Sequence, residues 1–347
     1  MEIGLLLNSN NQLHFYSERY REILDKNSIP LRVLNPNSRF LLRDLKECSH
    51  LLFRHTQGDT DILIYEALFN IAQNIYNINC FPNYETFWPY ENKVKEYYLL
   101  KSHDFPIIES HVLWNYDTAI EFLGEIVFPI VAKLPKGAGS SNVVIVNSLN
   151  EGRKLIDQVF KKGVMPHGLK SKSNLASLSH LGILKYSKGI IRPFMVKLGV
   201  MKDKSGYAEW QIQKDSLLFQ KYLPNNTFDT RVTIIGERAF AYRRFVRSND
   251  FRASGSGNFD TNNEKIDLQC IKIAFKISKE LSFKTMAYDF IYDENHLPQI
   301  SEISYCFVDW MVHSCPGFWD NDLVWHPGHL WPQHCQLEDF LGIELIS

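Results

Sequence analysis

The sequence lacks any apolar run close to the roughly 20 residues that span a bilayer. Residues 1–8 form a short strand-like run without the basic start and the cleavage site of a signal peptide. The 38 basic and 39 acidic side chains leave a formal net charge of -1, so no global field draws the chain to nucleic acid or to an anionic membrane. We therefore expect a cytoplasmic protein that inserts into no membrane and binds no nucleic acid.

Cysteine is scarce, and familiar binding motifs are missing. The six cysteines include no Cys-x-x-Cys pair, which argues against a zinc ribbon and a disulfide framework and predicts reduced thiols. The first strand is followed by Asn-Ser-Asn-Asn at residues 8–11 instead of Gly-x-Gly-x-x-Gly, so its domain is not expected to bind NAD. Four histidines near the C-terminus match no common zinc spacing: His313, His326, His329 and His334.

What is present is a chain of 347 residues at 45% hydrophobic composition, enough for two or three domains. Residues 1–90 alternate short apolar strands with amphipathic helices, which predicts an α/β domain with a parallel sheet. Residues 91–216 place two strands around a glycine-rich loop, and within them residues 163–190 are either an inserted, lid-like segment or a plain surface excursion. Residues 217–347 are rich in strands and end in an ordered cap.

The individual elements follow from the spacing of apolar residues and from cap signals. Ser148 and Glu151 have the spacing of a capping box, which predicts that a helix begins there. Further helices are predicted near 18–25, 93–100 and 264–281. Strands are predicted at 2–7, 31–34, 50–53, 128–134, 143–146, 217–223, 230–235 and 239–243, with a hairpin from 285 to 304.

The glycine-rich loop follows Lys133 and consists of small residues: Gly137, Ala138, Gly139, Ser140, Ser141 and Asn142. Such a loop lets backbone N–H groups close on phosphate oxygens, although an ordinary hairpin turn has the same composition. It is not a Walker motif, since no Gly-Lys-Ser/Thr leads into a helix. Lys133 ends the preceding strand, either within reach of such phosphates or in solvent at a sheet edge. Lys93, at a polar helix start, on its own indicates a solvated residue.

The hairpin near the C-terminus interrupts apolar strands with carboxylates. A turn centred on residues 294–295 places Asp289 opposite Ile300 and diagonal to Glu302, with Ser304 on the same face. Two carboxylates with no basic residue between them attract a cation, and Mg²⁺ shared with nucleotide phosphates fits. The alternative is a solvent-exposed sheet face that carries acids.

Basic residues lie between these two regions. Alternation places Asp229 and Arg231 on one face, so Arg231 could meet a phosphate on the side of the carboxylates. Further along, arginines flank a small, glycine-containing loop. This arrangement suits the binding of an acyl phosphate or a carboxylate. The alternative is a surface loop with scattered charge. The arginines are Arg244, Arg247 and Arg252, and the loop includes Ser254 and Gly255.

Taken in order, these pieces resemble the ATP-grasp superfamily from about residue 80 to 305, in particular glutathione-synthetase-like and ribosomal-protein-glutamate-ligase-like carboxylate-amine ligases, including bacterial amidoligases. The resemblance implies a mixed α/β and α+β chain, with a Rossmann-like domain followed by two lobes that hold ATP between them. It assigns the phosphates to Lys93, Lys133 and residues 137–142, the adenine hinge to Gln220, Lys221, Tyr222 and Leu223, a nucleotide role to Asp229, and the metal to Asp289, Glu302 and Ser304. The metal is Mg²⁺, with Mn²⁺ as an alternative.

Two positions depart from the family's pattern. Lys221 stands where members usually carry an acid that contacts the ribose, and Ser304 stands where they usually carry a metal-binding asparagine. The implied reaction phosphorylates a carboxylate of a small molecule or sugar, after which an amine attacks to form an amide, with Arg231, Arg252, Ser254 and Gly255 as catalytic residues. An ATP-grasp kinase acting on a hydroxyl and a nucleotide-binding protein without turnover remain alternatives, and the oligomeric state is open.

Overall fold

The computed structural model describes residues 2–54, 56–137, 142–165, 169, 211–247, 253 and 257–346. This part of the chain contains three sheets: a parallel sheet of four strands, an antiparallel sheet of four strands and an antiparallel sheet of seven strands. Among these residues, no helix is both long and apolar enough to cross a membrane.

The first sheet has the order β2-β1-β3-β4, and every pairing in it is parallel. This confirms the predicted parallel α/β arrangement, in which the buried strand residues Ile3 and Leu5 pack under helices. The strands are β1 (Ile3–Leu6), β2 (Leu31–Leu34), β3 (His50–Leu52) and β4 (Asn79–Phe81). The helices are α1 (Phe15–Lys26), α2 (Leu41–Lys46), α3 (Asp59–Asn70), continued by a π-helical turn at Ile71–Ile75, and α4 (Tyr84–Phe87).

The second sheet has the order β5-β8-β6-β7 and is antiparallel. Its strands are β5 (Ser110–Leu113), β6 (Ile130–Lys133), β7 (Val143–Val146) and β8 (Leu217–Lys221), and its helices are α5 (Lys93–Ser102), α6 (Tyr116–Phe122) and α7 (Leu149–Ile156), continued by a π-helical turn at Asp157–Lys162. The helix predicted at Ser148 is confirmed, because the Ser148 side chain accepts a hydrogen bond from the backbone of Glu151.

Strand β8 corrects the sequence analysis, which assigns it to the third unit. Its residue Phe219 lies opposite Ala132 of β6, and both side chains belong to the apolar core of the second sheet. Leu217 and Phe219 are fully buried in this core. The other proposed domain boundaries remain predictions.

The third sheet has the order β13-β12-β9-β10-β14-β15, with β11 beside β10. Its strands are β9 (Phe228–Ile235), β10 (Arg238–Phe245), β11 (Phe259–Asp260), β12 (Thr285–Tyr292), β13 (Pro298–Ser304), β14 (Gly317–Trp319) and β15 (Trp325–Pro327). The helices of this part of the chain are α8 (Leu268–Glu280), α9 (Asp309–His313) and α10 (Pro332–Leu341), with a 3-10 turn at Asn263–Lys265. Helix α8 covers one face of the sheet, where Val232, Tyr288 and Phe290 are buried. The polar residues discussed below lie on the opposite face, because side chains alternate along a strand.

Helix α10 links the two ends of the described chain. The Gln336 side-chain oxygen accepts hydrogen bonds from the hydroxyls of Tyr16 and Tyr20 on α1, and its amide nitrogen donates to Thr285 of the third sheet. Leu337 joins the apolar cluster around Ile3. The predicted ordered cap therefore packs against both the first and the third sheet.

Candidate functional site

The hairpin of β12 and β13 brings the two predicted metal carboxylates directly opposite each other. Asp289 pairs with Glu302, and a β-bulge at Ser301 shifts the register that the sequence predicts, in which Ile300 faces Asp289. Ser301 marks the bulge with a hydrogen bond from its hydroxyl to the Asp289 carbonyl, 3.1 Å long. The extra residue shifts the pairing of β13, so Asp289 and Glu302 are direct cross-strand neighbours instead of the predicted diagonal pair, and their side chains lie closer together.

Basic residues do stand beside Asp289, contrary to the prediction. Arg231 of β9 forms two hydrogen bonds with its carboxylate, at 2.6 and 2.7 Å, and Arg244 of β10 lies 2.7 Å from it. Burial alone would raise the pKa of Asp289, but the two guanidinium groups hold that pKa well below its usual range. The sequence does not reveal this arrangement, because the arginines come from two neighbouring strands.

Asp229 shares Arg244 with Asp289. Both of its oxygens accept hydrogen bonds from Arg244, at 2.7 and 2.6 Å, and both residues are buried. Asp229, Arg231, Arg244 and Asp289 thus form a network of two acids and two bases across three strands. The network therefore satisfies both oxygens of Asp229 within the protein.

Breaking this network should cost stability. We expect Asp289→Asn to lower the free energy of unfolding by about 3 kcal/mol, because two buried guanidinium groups lose their shared anion. Denaturant unfolding measures this change. The control is Asp339→Asn, whose carboxylate pairs with Arg238 nearer the surface and should lose less than about 1 kcal/mol; equal losses in the two variants would contradict the network's role.

Lys93 is buried, not solvated as its sequence context alone indicates. It is 5% exposed, and its Nζ donates to Glu302 at 3.0 Å and to the Gly137 carbonyl at 2.9 Å. Burial works against the charged form, but the nearby carboxylates outweigh it and raise the pKa above its ordinary value. Lys93 therefore joins the start of the glycine-rich loop to the carboxylate hairpin.

Lys133 enters the same region from the end of β6. It is 8% exposed, and its Nζ donates to the Ser301 carbonyl at 3.1 Å but forms no ion pair within the described residues. The pKa of Lys133 falls to about 8 because burial disfavours its charged form, an effect that Glu302 only partly offsets. No carboxylate of the described ranges lies in ion-pair contact with this buried ammonium, and the predicted alternative of a solvated edge lysine is wrong.

Two acids of the site escaped the sequence analysis. Glu96, on α5, accepts a hydrogen bond from the Ile303 backbone at 3.2 Å, and burial together with repulsion by Glu302 raises its pKa to about 8. Glu91 precedes the helix, and burial raises its pKa to about 7. Glu96 follows Lys93 by three residues on one helical face, which is the signal that could have indicated it.

The glycine-rich loop is described at its two ends. Gly137 has a φ of 153°, a conformation that favours glycine, and Asn142 is 1% exposed with its side chain donating to the Lys136 carbonyl at 3.1 Å. Asn142 therefore ties the loop's end to its beginning. The remaining predicted residues fall outside the described part of the chain: Ala138, Gly139, Ser140, Ser141, Arg252, Ser254 and Gly255.

The predicted adenine hinge lies at the end of β8. Gln220 is buried and donates to Ser110, whereas Lys221 is exposed and pairs with Glu294 of the hairpin turn at 2.9 Å. The next two residues follow the strand: Tyr222, which is half-buried, and Leu223, which is buried. The hinge role of these four residues remains a prediction.

The predicted metal ligands Glu302 and Ser304 differ in how accessible their oxygens are. Glu302 is about one-third exposed on its side chain (33%), so a ligand can reach it, whereas the Ser304 hydroxyl is engaged with the backbone of Cys306. No group of three or more histidines, cysteines or acids that could hold a metal ion occurs in the described ranges. Glu302 can offer an oxygen to a Mg²⁺ whose shell nucleotide phosphates complete, whereas both Asp289 oxygens are engaged by Arg231 and Arg244.

Comparisons with known proteins bear on the fold. No model of a protein family matches the chain, and no curated protein does. One similar solved structure is the biotin carboxylase domain of 2-oxoglutarate carboxylase from Hydrogenobacter thermophilus with MgADP, ADP and bicarbonate, at 11% identity over 99% of this chain and 70% of that chain, with a TM-score of 0.62. A second is D-alanine–D-alanine ligase from Bacillus anthracis with ATP, at 14% identity over 88% of this chain and 86% of that chain, with a TM-score of 0.53. A third is a RimK domain ATP-grasp protein from Sphaerobacter thermophilus, at 11% identity over 87% of this chain and 90% of that chain, with a TM-score of 0.50. At these identities the likeness shows the fold.

Proposed function

We propose that this chain, which has the ATP-grasp fold, is an ATP-dependent carboxylate-amine ligase. A carboxylate oxygen of the first substrate attacks the γ-phosphorus of ATP, and ADP leaves. An amine then attacks the acyl phosphate carbon, phosphate leaves, and an amide remains. The acid belongs to a small molecule or a sugar, with bacterial surface polysaccharide synthesis as one setting suggested by the family resemblance.

The observation that carries the proposal is the buried ammonium of Lys133. A desolvated cation without an ion pair among the described residues is costly unless an anion arrives. Lys93, which shares the region through Ser301 and Glu302, places a second cation nearby. Two lysines beside a glycine-rich loop suit the phosphates of a nucleotide, which supply the missing charge.

The other predicted residues take roles that follow from their positions. Gly137, Asn142 and the loop between them would close over the phosphates. Gln220 to Leu223, at the end of β8 and just after it, would hold the adenine through their backbone. Arg231, which Asp289 orients, would neutralise charge on the transferred group. The residues beyond the described part of the chain would bind the acyl phosphate: Arg252, Ser254 and Gly255.

The carboxylates would hold a divalent cation together with the nucleotide. Glu302 would be the main protein ligand, Asp289 would join it by giving up a hydrogen bond from Arg231 or Arg244, and Ser304 would be a weaker oxygen donor. When bound, Mg²⁺ or Mn²⁺ would supply charge neutralisation at the phosphates. Glu302 also fixes Lys93, so one carboxylate serves both the cation and the phosphate-binding lysine.

The experiment is ADP release from ATP and Mg²⁺ with pooled carboxylic acids, each with and without pooled amines, followed by mass detection of products. Hydroxylamine in place of the amines traps an acyl phosphate as a hydroxamate, which identifies the acid independently of the amine. A product that has lost water relative to acid plus amine supports the ligase. A phosphorylated hydroxyl compound would make the chain a kinase, and no turnover with any pool would favour a binding role.

The pKa of Lys133 predicts a pH dependence. Its charged form binds phosphates, and its pKa lies near 8, so we expect kcat/KM for ATP to fall as the pH rises through that value. Lys133→Arg stays charged throughout and should move this fall to higher pH. The measurement is the pH profile of kcat/KM in both proteins, and identical profiles would refute the assignment.

A further inference from the structure

Lys136, which directly precedes the glycine-rich loop, has both of its backbone polar groups paired with one side chain. Its N–H donates to Gln213 Oε1 at 2.7 Å, and its carbonyl accepts from Gln213 Nε2 at 3.0 Å. The Gln213 backbone pairs in turn with Val164 in both directions, at 2.8 and 2.9 Å. Gln213 is buried, so its amide holds the Lys136 backbone much as a neighbouring strand would.

The Lys136 side chain has a partner in a different sheet from that of Lys133. Its ammonium pairs closely with Asp59, the first residue of α3, whereas Lys133 Nζ donates to the Ser301 carbonyl of the third sheet. The second oxygen of Asp59 accepts from the Gln211 N–H at 2.7 Å. The Asp59 side chain is only 12% exposed. Asp59 therefore ties α3 to the base of the glycine-rich loop and to the segment that leads into β8.

The first turn of α3, which carries Asp59, is itself held in place. Asp61 is fully buried, and one of its oxygens accepts from the Ser9 N–H at 2.8 Å. Its other oxygen accepts from the Thr56 hydroxyl at 2.5 Å. These bonds join the helix to the segments that follow β1 and β3, so Asp59 is presented from a fixed position.

The segment around Lys136 also holds Lys93. The Lys93 backbone N–H donates to the Pro135 carbonyl at 3.0 Å, and its ammonium donates to the Gly137 carbonyl at 2.9 Å. Lys136 lies between these two acceptors in the chain. A displacement of Lys136 would therefore move both carbonyls that fix Lys93, because adjoining peptide groups are rigid planes that share an atom.

We propose that Asp59 is a positioning residue for the nucleotide phosphates: through Lys136 it fixes residues 135–137, and through them it holds the Lys93 ammonium where the phosphates arrive. The assignment rests on the proposed function, in which Lys93 binds those phosphates. Asp59 acts without touching the nucleotide, because Lys136 and Gln211 engage its two oxygens. A lysine that is already ordered loses less conformational entropy when the ligand binds, and this raises the affinity.

The test titrates the protein with the non-hydrolysable ATP analogue AMP-PNP and Mg²⁺ and follows binding by calorimetry. Asp59→Asn should weaken binding about fivefold to tenfold, and Lys136→Met should weaken it by the same factor. The double variant should lose no more than either single variant, because the two side chains act as one pair. Asp59→Glu keeps the charge and should restore most of the affinity.

A second probe and a matched control separate positioning from a general loss of structure. Adenosine carries no phosphate, so saturation-transfer NMR should give the same dissociation constant in the wild type and in Asp59→Asn. Glu66→Gln is the control, because Glu66 lies on the same helix and pairs only loosely with Lys95, at 3.9 Å. It should bind AMP-PNP like the wild type. Thermal unfolding verifies that each variant is folded.

Several results would overturn the positioning role. Unchanged AMP-PNP binding in Asp59→Asn would show that the ion pair does not support the phosphate site, and tighter binding would show that it competes with the phosphates for Lys136. A much larger loss in Lys136→Met than in Asp59→Asn would make Lys136 a phosphate ligand. Equal weakening of adenosine and AMP-PNP would indicate a structural defect.

The positioning role and the ligase proposal fail in different ways. A wild-type protein that forms a hydroxamate, with AMP-PNP binding unaltered in Asp59→Asn, keeps the ligase proposal and loses the positioning role. A protein whose AMP-PNP binding depends on Asp59 but that forms no hydroxamate with any acid keeps the positioning role and loses the ligase. A wild-type protein that binds no AMP-PNP loses both.

Discussion

Lys133→Met is expected to lower ATP turnover by about a hundredfold to a thousandfold, as happens when a group that stabilises transition-state charge is removed. The same change should leave the free energy of unfolding unaltered or raise it. Methionine fills a similar volume without the cost of burying a charge, and Lys133 has no ion pair among the described residues to lose. Activity should therefore fall without any loss of stability.

Steady-state ADP release and denaturant unfolding, measured on the same preparation, check both halves of this prediction. Lys101→Met is the matched control, because Lys101 is exposed at the end of α5. It should change neither quantity. A Lys133→Met protein that is much less stable than the wild type would indicate that the lysine is structural, and full activity would remove it from the phosphate site.

Glu302→Gln is expected to leave the protein folded and to reduce Mg²⁺-dependent turnover by about a hundredfold or more. The amide keeps the shape of the side chain but loses the charge that binds a hard cation. Lys93 also loses its 3.0 Å ion pair, although Glu96 remains close enough to favour its charged form. We expect the apparent affinity for Mg²⁺ to fall together with the rate.

The measurement is a Mg²⁺ titration at fixed ATP, with circular dichroism to verify folding. Glu294→Gln provides the control on the same hairpin, since Glu294 is exposed and pairs only with Lys221 among the described residues. It should behave like the wild type. Unchanged turnover in a folded Glu302→Gln protein would refute the metal assignment.

Local patterns predict most of the framework. Apolar alternation locates β9, β10 and the β12-β13 hairpin, and the cap signal locates the start of α7. These features depend on residues close together in the sequence, where period and capping decide the structure. The extra residue at Ser301 is invisible to this reasoning, because a bulge arises from the pairing of two strands.

Side-chain partners are harder to predict than elements. The sequence places Arg231 on the correct face, yet it does not reveal that Asp289 is shared by Arg231 and Arg244. The local sequence predicts a surface position for Lys93, because the hairpin that buries it lies more than 200 residues away, where Glu302 accepts its hydrogen bond. Strand β8 is misassigned for the same reason, since its choice of sheet depends on non-local packing.

The contact between α10 and α1 affects the order in which the chain becomes structured during synthesis. Leu337 and Leu345 complete the apolar cluster that contains Ile3 and Leu5. A ribosome releases the first sheet long before it makes α10, and a domain usually folds once its own residues have emerged. Here one layer of that cluster is translated after the whole third sheet, so we infer that the parallel sheet gains its full stability only once α10 has emerged.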